Sequence, residues 1–171
     1  MSEWTISEYD SAGDITSVVL DSVNAVEGNY CLKLKIAAYS STLSETHSIT
    51  VTKNNFSYRN VRVIFWLKTV DLSSAVFRVT HPSYGSVNLN TGGVWKLYRV
   101  TFYYDLLLLR KQIVVEEWDD TISDFVEKNR IDAGAGDPDP GTISFQLYIK
   151  ATGTAGYSPT AYLDYTELHA A

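Results

Sequence analysis

The sequence predicts an all-β sandwich carrying one short helix in an acidic insertion. Two observations carry the sandwich. Stretch after stretch alternates apolar and polar residues with period two, and turn chemistry recurs at short intervals between them. Twelve Tyr, four Trp and six Phe are an aromatic load that suits strands better than helices. At 171 residues, with 45% hydrophobic and 20% charged side chains, the chain is read as a single domain over residues 1–171.

In chain order, Met1 to Gly13 is a lead-in with Trp4, Ile6 and Tyr9 to anchor it. Ile15 to Leu20 is a β-branched run. Glu27-Gly28-Asn29 is a turn before Tyr30 to Ile36, which alternates Tyr30, Leu32, Leu34 and Ile36 against Cys31, Lys33 and Lys35. Cys31 is thus a small apolar filler in a strand. Ser40 to Ser44 is a polar loop, and His47, Ile49 and Val51 then alternate with Ser48, Thr50 and Thr52. Val61 to Val70 is the clearest strand. Its Val61, Val63, Phe65 and Leu67 face one way, and Arg62, Ile64, Trp66 and Lys68 the other. Ser74 to His81 follows and Pro82 ends it. Val87 to Leu89 is short, and Thr91-Gly92-Gly93 turns into a stretch with aromatics on both faces. Ile143 to Lys150 and Ala161 to Leu168 close the chain around a Gly153–Pro159 loop.

Residues 105–141 break this rhythm and read as an insertion. Leu106 to Val115 begins with four leucines that carry no period and is assigned to strand. Asp119 and Asp120 have helix-capping chemistry, and Ile122, Phe125 and Val126 stand at i, i+3 and i+4. The spacing predicts a helix to about Asn129, before the glycines Gly134 and Gly136.

Charge is concentrated in the same segment. The net charge is −6, and between Glu116 and Pro140 nine acids face only Lys128 and Arg130. An acidic chain argues against nucleic acid as a partner. No apolar run reaches the ~18 residues of a membrane span, so no membrane insertion is expected. The first ten residues hold no apolar h-region, so the expectation is a product without a signal peptide, made in the cytosol.

Catalytic signatures are missing. His47, His81 and His169 lack metal-ligand spacing. No nucleophile elbow or phosphate-binding glycine loop occurs. Glu116, Glu117, Asp119 and Asp120 are neighbours on a solvated face, where water keeps them ionised, rather than carboxyls fixed across a cleft. Asn55-Phe56-Ser57 is a glycosylation sequon by letter only. The protein is therefore read as non-catalytic.

Three stretches resemble the carbohydrate-binding-module jelly rolls of the galactose-binding-like group. They are Val26-Glu27-Gly28-Asn29-Tyr30-Cys31-Leu32-Lys33-Leu34, Gly93-Val94-Trp95-Lys96 through Thr101-Phe102, and Tyr162-Leu163-Asp164-Tyr165-Thr166-Glu167-Leu168. The resemblance implies a jelly-roll sandwich and a structural calcium, with Asp164 as candidate ligand. The chain departs from the pattern in lacking an opening F-E strand before Trp4 and in placing Tyr165 where a second acid often stands.

Two functions follow as expectations. The first is a structural or attachment subunit of a phage or virus particle, docking on other protein subunits through Trp118, Ile122 and Phe125. Such a product would leave the cytosol inside the virion. The alternative is a carbohydrate-binding module for a polysaccharide. Trp66 and Tyr148 would then be stacking surfaces, with Arg62, Arg78 and Gln146 as hydroxyl partners, provided their strands share one sheet.

Overall fold

Period-two alternation gives every strand one apolar face, and that face must be buried against another. The computed structural model describes residues 4–10, 16–37, 45–53, 58–73, 75–151 and 158–171. Among them the requirement is met by two antiparallel sheets. The strands are β1 (Trp4–Asp10), β2 (Thr16–Asp21), β3 (Cys31–Ile36), β4 (Glu45–Lys53), β5 (Val61–Val70), β6 (Ala75–His81), β7 (Gly85–Leu89), β8 (Lys96–Asp105), β9 (Arg110–Asp119), β10 (Asp124–Ala135), β11 (Ile143–Ala151) and β12 (Thr160–Ala170). One sheet has the order β1-β4-β11-β6-β7 and the other β10-β9-β8-β5-β12-β3-β2. Ile15, Ser74, the Ser40–Ser44 loop, the Asn55-Phe56-Ser57 sequon and most of the Gly153–Pro159 loop lie outside the described residues.

The core follows the alternation. Val61, Val63, Phe65 and Leu67 of β5 are fully buried, while the residues between them are half-buried. Phe145 of β11 reaches across from the five-stranded sheet. Its ring lies 4.8 Å from Phe65, edge to face, 5.6 Å from Trp4 and 6.3 Å from Phe77. Cys31 is buried, and desolvation pushes its thiol up to about 11, which suits a filler and not a nucleophile. At the far end of β5 the Thr69 and Thr91 backbone amides donate to each other's hydroxyl at 2.8 and 2.9 Å, and the Gly93 amide donates to the Thr69 carbonyl. Gly92 and Gly93 turn there with φ of 64° and 89°, a region only glycine enters freely.

No helix forms among the described residues, so the helix expected after Asp119 is corrected to a hairpin. Asp124–Ala135 pairs with β9 in a register that sets Phe125 beside Trp118 and Arg130 beside Val114. A three-residue apolar stripe offers an isolated helix too little burial to offset its nucleation cost, whereas β9 offers a full strand partner. The capping chemistry is real but serves a turn: Asp119 Oδ1 accepts the Thr121 amide at 2.8 Å. Ser123 takes a left-handed φ of 52° there.

The strand assignment for Leu106 to Val115 is corrected at its start. Pairing of Asp105 with Arg110 leaves Leu106 to Leu109 as the β8–β9 turn, all four side chains 60–94% exposed. Asp105 Oδ1 caps that turn by accepting the Leu107 and Leu108 amides. Residues of the acidic segment thus extend the seven-stranded sheet, and the charged edge strand β10 presents a poor template for further pairing.

His81 is buried at the end of β6, its ring 4.9 Å from Tyr84 and 5.4 Å from Phe102. Its Nδ1 accepts the Ser83 amide at 3.1 Å. Desolvation lowers its pKa from 6.5 to about 4. The unfolded chain therefore takes up a proton at a pH where the folded protein does not. The stability linked to neutral His81 is complete above pH 6.5 and is lost as pH falls from there towards 4. Chemical denaturation at pH 7 and pH 4.5 should show the protein losing on the order of 2–3 kcal/mol more than His81→Gln; parallel losses would refute the assignment.

Candidate functional site

The five residues expected to contact a ligand do not share a sheet. β6 and β11 belong to the five-stranded sheet and β5 to the seven-stranded one. Arg78, Gln146 and Tyr148 therefore come together on one outer face of the sandwich, and Arg62 and Trp66 lie on the other.

On the five-stranded face the register builds rows across the strands. Ser7, Thr50, Gln146, Arg78 and Asn88 occupy one row, a residue from each strand. Tyr9, Ser48, Tyr148 and Val76 form the row to one side. Thr5, Thr52, Ser144, Thr80 and Ser86 form the row to the other. Five strands span about 19 Å at the spacing of a sheet. Within the central row, Arg78 Nε donates to Gln146 Oε1 at 2.6 Å, and Gln146 Nε2 donates to Thr50 Oγ1 at 3.2 Å. The Arg78 guanidinium lies 5.4 Å from the Tyr148 ring centroid, a cation–π contact. These bonds hold three long side chains in place and leave the Arg78 Nη groups without a bond to any described residue. The three rows contain hydroxyls, amides, phenols and one guanidinium, and no carboxylate. Ser7, Thr50 and Asn88 were not among the expected residues. The hydroxyl side of β4 (Ser48, Thr50, Thr52) was the available signal, but only register shows which strands it joins.

The seven-stranded face is different. Trp66 sits beside Leu97 of β8, and the pairing of Tyr98 with Glu117 brings Trp118 alongside Leu97. Trp118 and Phe125 meet at 5.3 Å, edge to face. Arg99 lies 4.3 Å from the Phe125 ring and makes a two-point contact with Glu116, which holds its guanidinium firmly protonated. The Trp66 indole donates to Glu27 Oε1 at 3.0 Å, and Arg62 Nε donates to Thr101 Oγ1 at 3.4 Å. Trp66 is half-buried in this strip, with its polar edge already engaged. Of the three residues expected to dock on a partner, Trp118 and Phe125 form the cross-strand pair. Ile122 stands apart in the β9–β10 turn, 61% exposed.

Asp164 is buried and its carboxylate accepts three backbone amides. Oδ2 accepts the Val26 and Glu27 amides at 2.6 and 2.8 Å, and Oδ1 accepts the Tyr165 amide at 2.8 Å. Calcium needs six to eight oxygen ligands. Among the described residues no group of three or more His, Cys, Asp or Glu side chains gathers. Three amides already hold three of its roughly four lone-pair sites, so the donor set present does not fit a calcium held at Asp164. The carboxylate instead ties the Val26–Glu27 loop directly to β12.

No family model and no curated protein sequence matches the chain. Solved structures do match it in three dimensions. An endo-β-1,4-glucuronan lyase from the fungus Trichoderma reesei superposes with a TM-score of 0.60 at 12% identity, covering 95% of this chain and 90% of that one. The cellulose-induced protein Cip1 superposes with a TM-score of 0.59 at 14% identity, covering 99% and 92%. A glycosyl hydrolase family protein from Mycobacterium fortuitum gives 0.54 at 12% identity, covering 98% and 92%. The chain is an all-β jelly-roll sandwich of two sheets, and its likeness to these proteins is one of fold. The expectation of a phage or virus particle subunit is corrected. Proteins that share this fold over nearly their whole length are named as a glucuronan lyase and a glycosyl hydrolase family protein, not as virion subunits.

Two measurements check the account of Asp164. Adding a chelator should leave the Tm unchanged, and Asp164→Ala should cost about 3 kcal/mol by stranding three amides. A Tm that falls with chelator and recovers with calcium would restore the cation.

Proposed function

We propose that the protein binds a polysaccharide chain on the outer face of its five-stranded sheet and performs no chemistry on it. The observation that carries this reading is the Arg78–Gln146–Thr50 hydrogen-bond row beside Tyr148. Sugar hydroxyls both donate and accept, and the row presents guanidinium and amide groups already locked in position. Less side-chain entropy is then lost on binding. The Tyr148 ring supplies an apolar surface for the C–H face of a pyranose, and Tyr9 lies in the same row, 58% exposed. An open, shallow row about five strands wide suits an extended chain better than an enclosed small molecule. Hydrolysis by an acid–base pair would need two carboxyls across the bound sugar, and these rows carry none. The fold likeness to proteins named for glycan chemistry supports the same class of ligand.

Retention on immobilised polysaccharides tests this directly. Tyr148→Ala and Arg78→Ala should each weaken retention by about tenfold. Both side chains are half-buried on an outer face, so the Tm should move by only a few degrees. Trp66→Ala, on the opposite face, should leave retention unchanged. Retention that survives the first two changes and fails with the third would place the glycan on the seven-stranded sheet instead.

A further inference from the structure

The two sheets do not pack against each other along their whole length. A cavity of about 140 Å³ opens between β1, at the edge of the five-stranded sheet, and the β12–β3 pair. Phe145 and Leu163, both buried in the core, close its floor, and Trp4 forms a wall. Tyr30, Tyr165 and Thr166 also border it, and Tyr30 and Tyr165 are 56% and 41% exposed. Tyr165 is the extra residue of a β-bulge between Asp164 and Thr166, and it holds a left-handed φ of 42°. That backbone conformation is unfavourable for a bulky side chain and would suit glycine. Strain of this kind concentrates where a ligand is held. Asp164 pins the loop that leads to Tyr30 through the Val26 and Glu27 amides. Both aromatic rings are thus brought to the cavity by the same carboxylate-centred junction.

We infer that this cavity receives a single neutral pyranose ring, the end residue of a glycan chain. Pockets for drug-sized ligands run to roughly 300–1,000 Å³, so this one, at about 140 Å³, leaves no room for more than one ring. Its closed floor stops a chain from threading through, which selects a terminal residue. The apolar floor and the Trp4 wall suit the C–H face of a sugar, and the Tyr30 phenol and Thr166 hydroxyl suit its polar rim, while the Tyr165 phenol already donates to the Glu167 carboxylate and offers its ring. Charge selects the neutral class. No Lys or Arg is among the described residues lining the cavity, and the Asp164 carboxylate borders it, held by three amides. A uronate would therefore meet a negative group and no cation. The class of ligand rests on the glycan-binding reading above, while the site shares no side chain with the five-stranded face.

Saturation-transfer NMR with glucose, galactose, mannose and xylose tests the cavity beside the polysaccharide retention assay. Transfer to at least one of these sugars is expected with the native protein. Tyr165→Gly removes the ring while suiting the backbone, so it should keep or raise the Tm and weaken monosaccharide binding by about tenfold. Thr166→Val should weaken it without changing the Tm, and Tyr148→Ala should leave it unchanged. No transfer to any of the four sugars, or transfer indifferent to Tyr165→Gly, overturns the cavity even if Tyr148 still governs polysaccharide retention. Monosaccharide binding that falls with Tyr148→Ala overturns it as well, by moving the sugar to the sheet face.

Discussion

The contact between Phe145 and Phe65 is the one on which the rest of the molecule depends. It joins the middle strand of one sheet to the middle strand of the other, edge to face and fully buried. With those rings in contact, every alternating strand has its apolar side committed inward. The outward sides of β4, β6 and β11 then become one continuous polar surface. Trp4 packs on the same Phe145 ring, so the core contact also sets the wall of the cavity beside it.

The two outer faces divide the chemistry of the chain. The five-stranded face is rich in hydroxyls and carries no carboxylate in its three rows. The seven-stranded face collects Trp66, Trp118 and Phe125 with paired charges such as Arg99 and Glu116. The acids that dominate the net charge lie mainly on β9, β10 and their turns, away from the proposed glycan row. Among the described residues of those rows Arg78 therefore meets no carboxylate.

Much of the fold was legible in the sequence, because burial is written in alternation. The apolar sides of β3, β5 and β11 are read directly from residues such as Leu34, Phe65 and Leu147, all buried as their period requires. The site was legible only in part. Arg78, Gln146 and Tyr148 were identifiable as outward polar or aromatic residues, but so were Arg62 and Trp66, which belong to the opposite face. The misread helix has a related cause. Asp119 and the stripe Ile122, Phe125, Val126 satisfy a helix start and a hairpin turn equally well, and only β9 lying alongside decides between them.

By itself the sequence determined the sandwich class, the faces that would be buried and the residue types left outside, since these follow from local period and composition. The tertiary structure decided which strands are neighbours, and with them the Arg78–Gln146–Thr50 row, the turn of exposed leucines and the Tyr165 bulge. The physical reason is that strand pairing is made by backbone amides and carbonyls common to every residue. Partner and register are therefore chosen by the packing of the whole chain and not by the strand's own letters.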